Sequence, residues 1–129
     1  MALLNSTSLY VQTDANDSGA KDSTTGTIWQ VNIPAKTATV VARNLGRPRG
    51  LLLLPNGNLV LADIAHHTLR VLNPNTGAIL PLAGQNDASG TQDGTGSTAR
   101  FNRPYGMALT TQVDILVADA GHTNILKVT

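Results

Sequence analysis

The chain contains no cysteine, few aromatic residues and few charged residues. Without cysteine it can hold no disulfide framework, no thiolate zinc site and no thiol nucleophile. Aromatic residues make up 3% of the sequence, which leaves few stacking platforms for nucleic-acid bases. Nine Lys and Arg residues against eight Asp and Glu residues give a net charge of +1. We therefore expect no dominant electrostatic attraction to nucleic acid or to an anionic membrane surface.

Long apolar runs are also missing. No apolar stretch approaches the roughly 20 residues of a membrane span, so no membrane association is predicted. The opening residues Met1 to Leu4 lack the basic start and the length of a secretory signal peptide, which makes the cytoplasm the default location. The 129 residues are 41% hydrophobic, which is enough for the core of one soluble domain.

An internal repeat is the most informative pattern in the sequence. The segment from Arg47 to Asp63 reads RPRGLLLLPNGNLVLAD, and the segment from Arg103 to Asp119 begins RPYGMAL and closes with ILVAD. An internal period of this size is typical of a solenoid or a propeller, in which single units cannot bury their apolar faces alone.

Short apolar runs separated by turn signals predict the strands of the repeat. Four such runs in the middle unit are too short for helices and read as successive strands: Leu51 to Leu54, Leu59 to Ala62, Leu69 to Leu72 and Ile79 to Leu82. Pro55-Asn56-Gly57 and Pro74-Asn75-Thr76-Gly77 predict tight hairpins, since Asn and Gly tolerate positive φ. The run from Leu59 to Ala62 is apolar on both faces, which predicts a meander stacked between neighbours.

The same pattern continues on either side of the middle unit. The third unit gives strands at Tyr105 to Leu109, Ile115 to Ala118 and Ile125 to Val128, with no fourth. The first unit gives strands from Met1 to Leu3, Leu9 to Thr13, Thr27 to Asn32 and Thr37 to Ala42. We align Leu9 to Asp14 with Asp114 to Asp119, which makes Asp14 the equivalent of Asp119. The sequence thus predicts an all-β chain of just under three four-stranded meanders.

These residues resemble the NHL-repeat family of β-propellers. The matching features are a Pro-x-Gly before the first strand, an Ala-Asp that closes the second (Ala62-Asp63 and Ala118-Asp119), and an Ile or Leu that opens the third. The link from Leu82-Ala83-Gly84 through Asp93-Gly94 to Ala99-Arg100-Phe101 is similar to a connection between blades of that family. The resemblance implies a partial propeller with blades at residues 1–46, 47–102 and 103–129, the last blade lacking its outer strand.

A propeller of under three blades leaves two apolar blade faces open. Propellers of this family are closed rings of about six blades, so the resemblance implies that further blades complete the ring. Two chains related by a two-fold axis would supply about six blades, and a homodimer is the favoured assembly. The open alternative is that the chain is part of a longer protein.

A polar rim is predicted at one end of the ring. In a meander, the end of the second strand and the start of the first strand lie at the same edge of the sheet. The residues that this geometry gathers as a candidate ligand-binding rim are Arg47, Arg49, Arg103, Tyr105, His66, His67 and His122. Asp14, Asp63 and Asp119 lie at the same edge, and we expect Asp63 and Asp119 to accept backbone N–H bonds in the turns that follow them.

Two functions are compatible with this rim. The leading hypothesis is a non-enzymatic NHL-type scaffold or binding module with no cofactor, which self-associates and presents the rim to a protein or a small ligand. The alternative is a metal-dependent lactonase-like or lyase-like propeller enzyme assembled from two chains. In that case Asp63, His66, Asp119 and His122 would hold a divalent metal in the channel, because carboxylate and imidazole suit zinc or a harder ion.

Nucleic-acid binding is a third interpretation and the weakest. Some NHL-type domains bind RNA through such a rim, and Arg43, Arg47, Arg49, Arg100 and Arg103 form two matching clusters. The low aromatic content and the net charge of +1 argue against it.

Overall fold

The computed structural model describes residues 2–16, 18–22, 24–84, 101, 103–110, 114–119 and 124–128. These residues form eleven antiparallel β-strands and no helix. Blade 1 contains, in spatial order, β1 (Ala2–Leu3), β2 (Ser8–Thr13), β3 (Thr27–Asn32) and β4 (Thr37–Ala42). Blade 2 contains β5 (Pro48–Leu53), β6 (Leu59–Asp63), β7 (Thr68–Leu72) and β8 (Ile79–Gly84). Blade 3 contains β9 (Pro104–Leu109), β10 (Ile115–Asp119) and β11 (Asn124–Val128).

The architecture is the partial β-propeller that the sequence predicts. Every strand pairs with its neighbour in chain order, which makes each sheet a simple meander. Within the described part of residues 103–129, blade 3 has three strands, as expected for a blade that lacks its outer strand. Among the described residues, no helix is long and apolar enough to cross a membrane.

Glycine closes the two hairpins of blade 2 that the sequence predicts. Gly57 has φ 91° and follows Asn56 in a turn closed by the bond from Leu54 N–H to Asn58 O at 2.8 Å. Gly77 has φ 76° and donates its N–H to Asn73 O at 2.8 Å. Both positions need the left-handed conformation that glycine adopts without steric cost.

Blade 2 is buried on both faces, as its apolar second strand predicts. Leu59 and Leu61 pack into the core shared with blade 1, whereas Val60 and Ala62 pack into the core shared with blade 3. All four side chains are fully buried. Because full burial of a Leu or Val side chain stabilises a fold by about 1.5–3 kcal/mol, stacking of the blades is a major source of stability.

Two linking segments fix the blades to each other. Leu45 is fully buried between blades 1 and 2, where its N–H donates to Gly26 O at 2.9 Å. Gly26 in turn donates to Gly46 O at 2.8 Å. Phe101 is fully buried in the core between blades 2 and 3. The part of this second link at residues 85–100 lies outside the described residues.

Strand pairing corrects the sequence alignment of blade 1 by one residue. Thr13 pairs with Thr27 at the end of the β2–β3 ladder, in the place where Asp63 pairs with Thr68 in blade 2. Both ladders are followed by the same irregularity in the next strand pair, at Ile28 in blade 1 and at Leu69 in blade 2. The equivalent of Asp63 is therefore Thr13, and Asp14 lies one residue beyond it. A one-residue shift moves a side chain to the other face of its sheet.

Candidate functional site

The residues of the predicted rim lie at one edge of the sheets where the structure describes them. Pro48 pairs with Asp63 and Pro104 pairs with Asp119, which brings the starts of first strands beside the ends of second strands. The hairpin at Gly57 lies at the opposite edge of blade 2. Arg47, Arg49, Asp63, His66, His67 and Arg103 all lie at the rim edge. The side chains of Tyr105 and Asp119, and the whole of His122, lie outside the described residues.

Asp63 is the centre of the rim in blade 2. Its side chain is 1% exposed, and its Oδ1 accepts the backbone N–H of Ala65 at 2.9 Å and that of Arg47 at 3.1 Å. Its Oδ2 accepts from His66 Nδ1 at 2.7 Å and from Arg70 Nη2 at 3.2 Å. The bond to Ala65 is the one predicted from the sequence. Asp63 thus fastens β6 to the turn after it, to the start of β5 and to β7.

A close approach of the backbone accompanies this carboxylate. Gly46 has φ 74°, and a Cβ atom built on it would lie 2.2 Å from Asp63 Oδ2. The guanidinium of Arg70 also donates to Leu45 O at 2.6 Å. The link between blades 1 and 2 is therefore pressed against Asp63, and only glycine fits at position 46 with this geometry.

The donors around Asp63 bear on the metal hypothesis. Both oxygens of the carboxylate already accept hydrogen bonds from the chain, and one of the donors is a guanidinium. A metal ion at Asp63 would have to replace these bonds and would lie beside the positive charge of Arg70. Among the residues that the structure describes, no group of three or more His, Cys, Asp or Glu side chains could hold a metal ion. The four-residue set with Asp119 and His122 extends beyond them.

Asp14 joins blade 1 to the rim of blade 2. Its side chain is 10% exposed and its Oδ2 accepts from Arg47 Nη2 at 3.2 Å and from Arg49 Nη2. Lys21 Nζ lies 3.9 Å from the same oxygen. One carboxylate therefore holds two arginines of the next blade, and the arginines keep about a third of their surface exposed.

Gln12 adds a neutral contact to the same junction. Its Nε2 donates to the backbone oxygen of Arg49 at 2.9 Å. This bond and the Asp14 ion pairs cross from the end of β2 to the start of β5. They join the rim residues of the two blades directly.

The two histidines that the structure describes, His66 and His67, have structural partners. His66 is held by Asp63, and His67 accepts the backbone N–H of Arg103 on Nδ1 at 3.0 Å. The second bond joins the turn after β6 to the residue before β9 and so links blades 2 and 3. Arg103 itself is exposed at the rim.

A cleft of about 410 Å³ opens beside the Asp14 cluster. It is lined by Lys21, Asp22, Arg47 and Ala65. Asp22 is fully exposed and accepts bonds from the hydroxyl and the N–H of Thr24, both at 2.7 Å. These bonds lower the pKa of Asp22 below its ordinary value, and the bond from the hydroxyl has the larger effect. The cleft thus combines two cations with a carboxylate that Thr24 engages.

Sequence reasoning missed Arg70, Gln12, Lys21 and Asp22, the last two of which line the cleft. Arg70 lies inside a predicted strand and looks like an ordinary solvent-facing residue of that strand. Lys21 lies in the polar insertion after β2, whose course the repeat could not predict. Gln12 lies in β2, where the sequence alignment with blade 3 was one residue out of register. A useful signal was available for Arg70 alone, because a charged residue flanked by Leu69 and Val71 in a stacked sheet needs a partner.

One of three comparisons with known proteins bears on the fold. No protein-family model matches the chain. The chain is 33% identical over 81 residues to Protein SUPPRESSOR OF QUENCHING 1, chloroplastic, from Arabidopsis thaliana. The match covers 63% of this chain and 8% of that protein. The crystal structure of an auxiliary nutrient binding protein from Bacteroides thetaiotaomicron VPI-5482 superposes with a TM-score of 0.61 at 18% identity.

The chain spans only part of both proteins. It is matched over 81% of its own length by the Bacteroides structure, of which it covers 32%. At this identity the likeness shows a shared fold, a β-rich propeller-like arrangement of antiparallel sheets.

Proposed function

We propose that this protein is a non-enzymatic binding module of the NHL type, a set of blades that takes part in a ring of about six and binds a small anionic ligand at its basic rim. The observation that carries the proposal is the cleft at the junction of blades 1 and 2, where Arg47 and Lys21 line one opening. Guanidinium groups match carboxylate and phosphate oxygens in a bidentate fashion.

The arrangement of charge supports binding over catalysis. Asp14 and Asp63 are engaged by donors of the chain, so neither is set up as a free base or nucleophile. Asp14 holds the guanidinium of Arg47 beside the cleft and thereby reduces the entropy that a ligand would lose on ordering it. The Bacteroides neighbour is described as a nutrient binding protein, which agrees with a binding role for this fold.

Calorimetric titration with glucose and two anionic derivatives of it tests the proposal. The probes are D-gluconate, glucose 6-phosphate and glucose, which share a carbon skeleton and differ in charge. We expect the anionic probes to bind more tightly than glucose and to weaken as NaCl is added, since ion pairs at an exposed rim are screened by salt. Equal binding of all three probes, or of none, would contradict an anion site.

Two arginine variants provide the matched comparison. Both arginines bind Asp14, but only Arg47 lines the cleft. Arg47→Gln therefore removes a cation from the cleft, whereas Arg49→Gln removes one outside it. We expect Arg47→Gln to weaken the anionic probes by about tenfold or more and Arg49→Gln to have a smaller effect. Lys36→Gln, in the exposed turn before β4 at the opposite edge, should have none. Titration in the presence of EDTA separates this binding from the metal-dependent alternative, because ligand binding that needs a metal ion is lost when EDTA removes the ion.

A further inference from the structure

The two end blades each present an apolar sheet face on which no described residue packs. On blade 3, the outer face carries Ala108 opposite Leu116 and Gly106 opposite Ala118. Leu116 is 37% exposed, and the other three are exposed as well. A shallow groove of about 300 Å³ lies on this face, lined by these residues and Met107. We call it the blade 3 groove.

The other end of the chain presents a bulkier apolar face. Strand pairing places Leu3 opposite Leu9, Leu9 opposite Val31, and Val11 opposite Trp29, all on the side of blade 1 that faces away from blade 2. Leu3 is 65% exposed and the other four are half-buried. We call this set the blade 1 face.

The interface between blades 2 and 3 shows what such a groove binds. In blade 2, the pairs Leu52 opposite Val60 and Gly50 opposite Ala62 occupy the same register positions as the pairs of the blade 3 groove. That face of blade 2 is covered by Ile115 and Val117 of the next blade.

Blade 1 also carries apolar residues at the positions that Ile115 and Val117 occupy in blade 3. With Thr13 aligned to Asp63, Leu9 and Val11 take the places of Leu59 and Leu61 in blade 2. By the same ladder positions they take the places of Ile115 and Val117 in blade 3. Leu59 and Leu61 are covered by blade 1, whereas Leu9 and Val11 have no preceding blade among the described residues.

We infer that a second copy of this chain docks here, with the blade 1 face of one copy in the blade 3 groove of the other. Small side chains at Gly106, Ala108 and Ala118 leave room for the indole of Trp29, so the two faces are complementary in bulk. Applied twice about a two-fold axis, this head-to-tail contact continues the blade stacking and closes a ring of about six blades. The inference rests on the ring in the proposed function and names the chain that completes it.

Sedimentation velocity with two blocking variants tests the inference. We expect the wild-type chain of 13.5 kDa to sediment as a species of about 27 kDa. Ala108→Arg places a charge in the groove, and Leu3→Arg places one on the blade 1 face. Both positions are exposed in a single copy, so folding is expected to persist, with unchanged far-ultraviolet circular dichroism. Each variant should sediment at 13.5 kDa. Ala35→Arg, in the exposed turn before β4, is the control and should remain a dimer.

Mixing the two blocked variants tests the head-to-tail arrangement. The intact blade 1 face of Ala108→Arg can dock into the intact groove of Leu3→Arg, whereas the second contact of the mixed pair carries both arginines. The mixture should therefore form an open dimer of about 27 kDa, held by one contact and weaker than the wild-type ring. If groove docked to groove or face to face, only one variant would block association and the inference would be wrong. A wild-type monomer at all concentrations, or dissociation by Ala35→Arg as well, would also overturn it.

The outcome is separable from that of the rim proposal. The rim cleft is built from blades 1 and 2 of one chain, so D-gluconate titration can be run on the monomeric Ala108→Arg variant. A monomeric wild type that binds the probe overturns the docking inference alone. A dimer that binds no probe overturns the anion site alone.

Discussion

The indole N–H of Trp29 donates to the hydroxyl oxygen of Thr13 at 3.0 Å across the β2–β3 pair. The same two ladder positions in blade 2 are Arg70 and Asp63, joined at 3.2 Å. In blade 2 this pair is packed against the link from blade 1, and Asp63 is 1% exposed. In blade 1 the pair lies on the outer face, where Trp29 is half-buried. The repeat thus keeps a side-chain contact at these two ladder positions. The contact is ionic in blade 2 and neutral in blade 1, which has no preceding blade among the described residues.

Removal of the carboxylate at Asp63 should destabilise the fold strongly. Asp63→Ala leaves the guanidinium of Arg70 and two backbone N–H groups without their acceptor in a buried site. We expect a loss of about 3 kcal/mol in the free energy of unfolding, measured by urea denaturation. Asp22→Ala removes a fully exposed carboxylate and should leave the midpoint close to that of the wild type. Equal midpoints for both variants would show that Asp63 is not a structural anchor.

The close contact at Gly46 gives a second stability prediction. Gly46→Ala combines an unfavourable positive φ with a Cβ atom 2.2 Å from Asp63 Oδ2. Gly77→Ala has the same backbone conformation, with φ 76°, but its Cβ would meet nothing closer than Val41 O at 3.9 Å. We expect Gly77→Ala to cost about 1 kcal/mol and Gly46→Ala clearly more, by thermal or urea unfolding. Similar losses in both variants would mean that the link moves away from Asp63 at little cost.

Much of this fold follows from local patterns in the sequence. The apolar runs predict all eleven described strands to within a few residues, because most of them are bounded by turns that contain Gly, Asn or Pro. The two-sided burial of β6 follows from its unbroken apolar run, since a sheet with one wet face would alternate. Turn glycines at positions 57 and 77 are predictable because their φ values require glycine or asparagine.

The site was harder to predict because it depends on register and on contacts between blades. Asp14 and Asp63 both follow a predicted second strand, so the repeat pattern suggests that they are equivalent. Pairing of Thr13 with Thr27 shows that they are not. Asp63 contacts the link from the preceding blade, whereas Asp14, one residue further along, contacts two arginines of the next blade. The ion pairs from Asp14 to Arg47 and Arg49 span 33 and 35 positions of sequence, beyond the reach of local patterns.

The junction of blades 1 and 2 should be sensitive to salt. Asp14→Asn keeps the shape of the side chain and removes the charge that holds Arg47 and Arg49. Because both arginines are about a third exposed, we expect a modest loss of about 1 kcal/mol in the free energy of unfolding. The loss should shrink between about 0.05 M and about 1 M NaCl, as the ion pairs of the wild type are screened. A loss that does not depend on salt would point to packing in place of charge.

The titration of Asp22 should report on its bonds with Thr24. The hydroxyl and the N–H of Thr24 lower the pKa of Asp22 in the folded chain, so above its unfolded pKa this fully exposed carboxylate makes a favourable contribution to folding that solvent screening keeps small. That contribution disappears as the pH falls through the lower, folded pKa. Thr24→Val removes the hydroxyl, and we expect the pKa of Asp22 measured by NMR to rise towards its ordinary value. Thr7→Val, which removes a similar bond to the uncharged Asn5, should leave it unchanged.

Trp29 is the only tryptophan of the chain and lies on the blade 1 face, so its fluorescence should follow assembly. In the head-to-tail dimer the indole is covered by the blade 3 groove, and dilution should expose it and shift its emission to longer wavelength. Leu3→Arg prevents docking and should give the longer wavelength at every concentration. An emission maximum that stays constant while sedimentation shows dissociation would place Trp29 outside the interface. A shift that coincides with the change in mass identifies the blade 1 face as the surface that closes the ring.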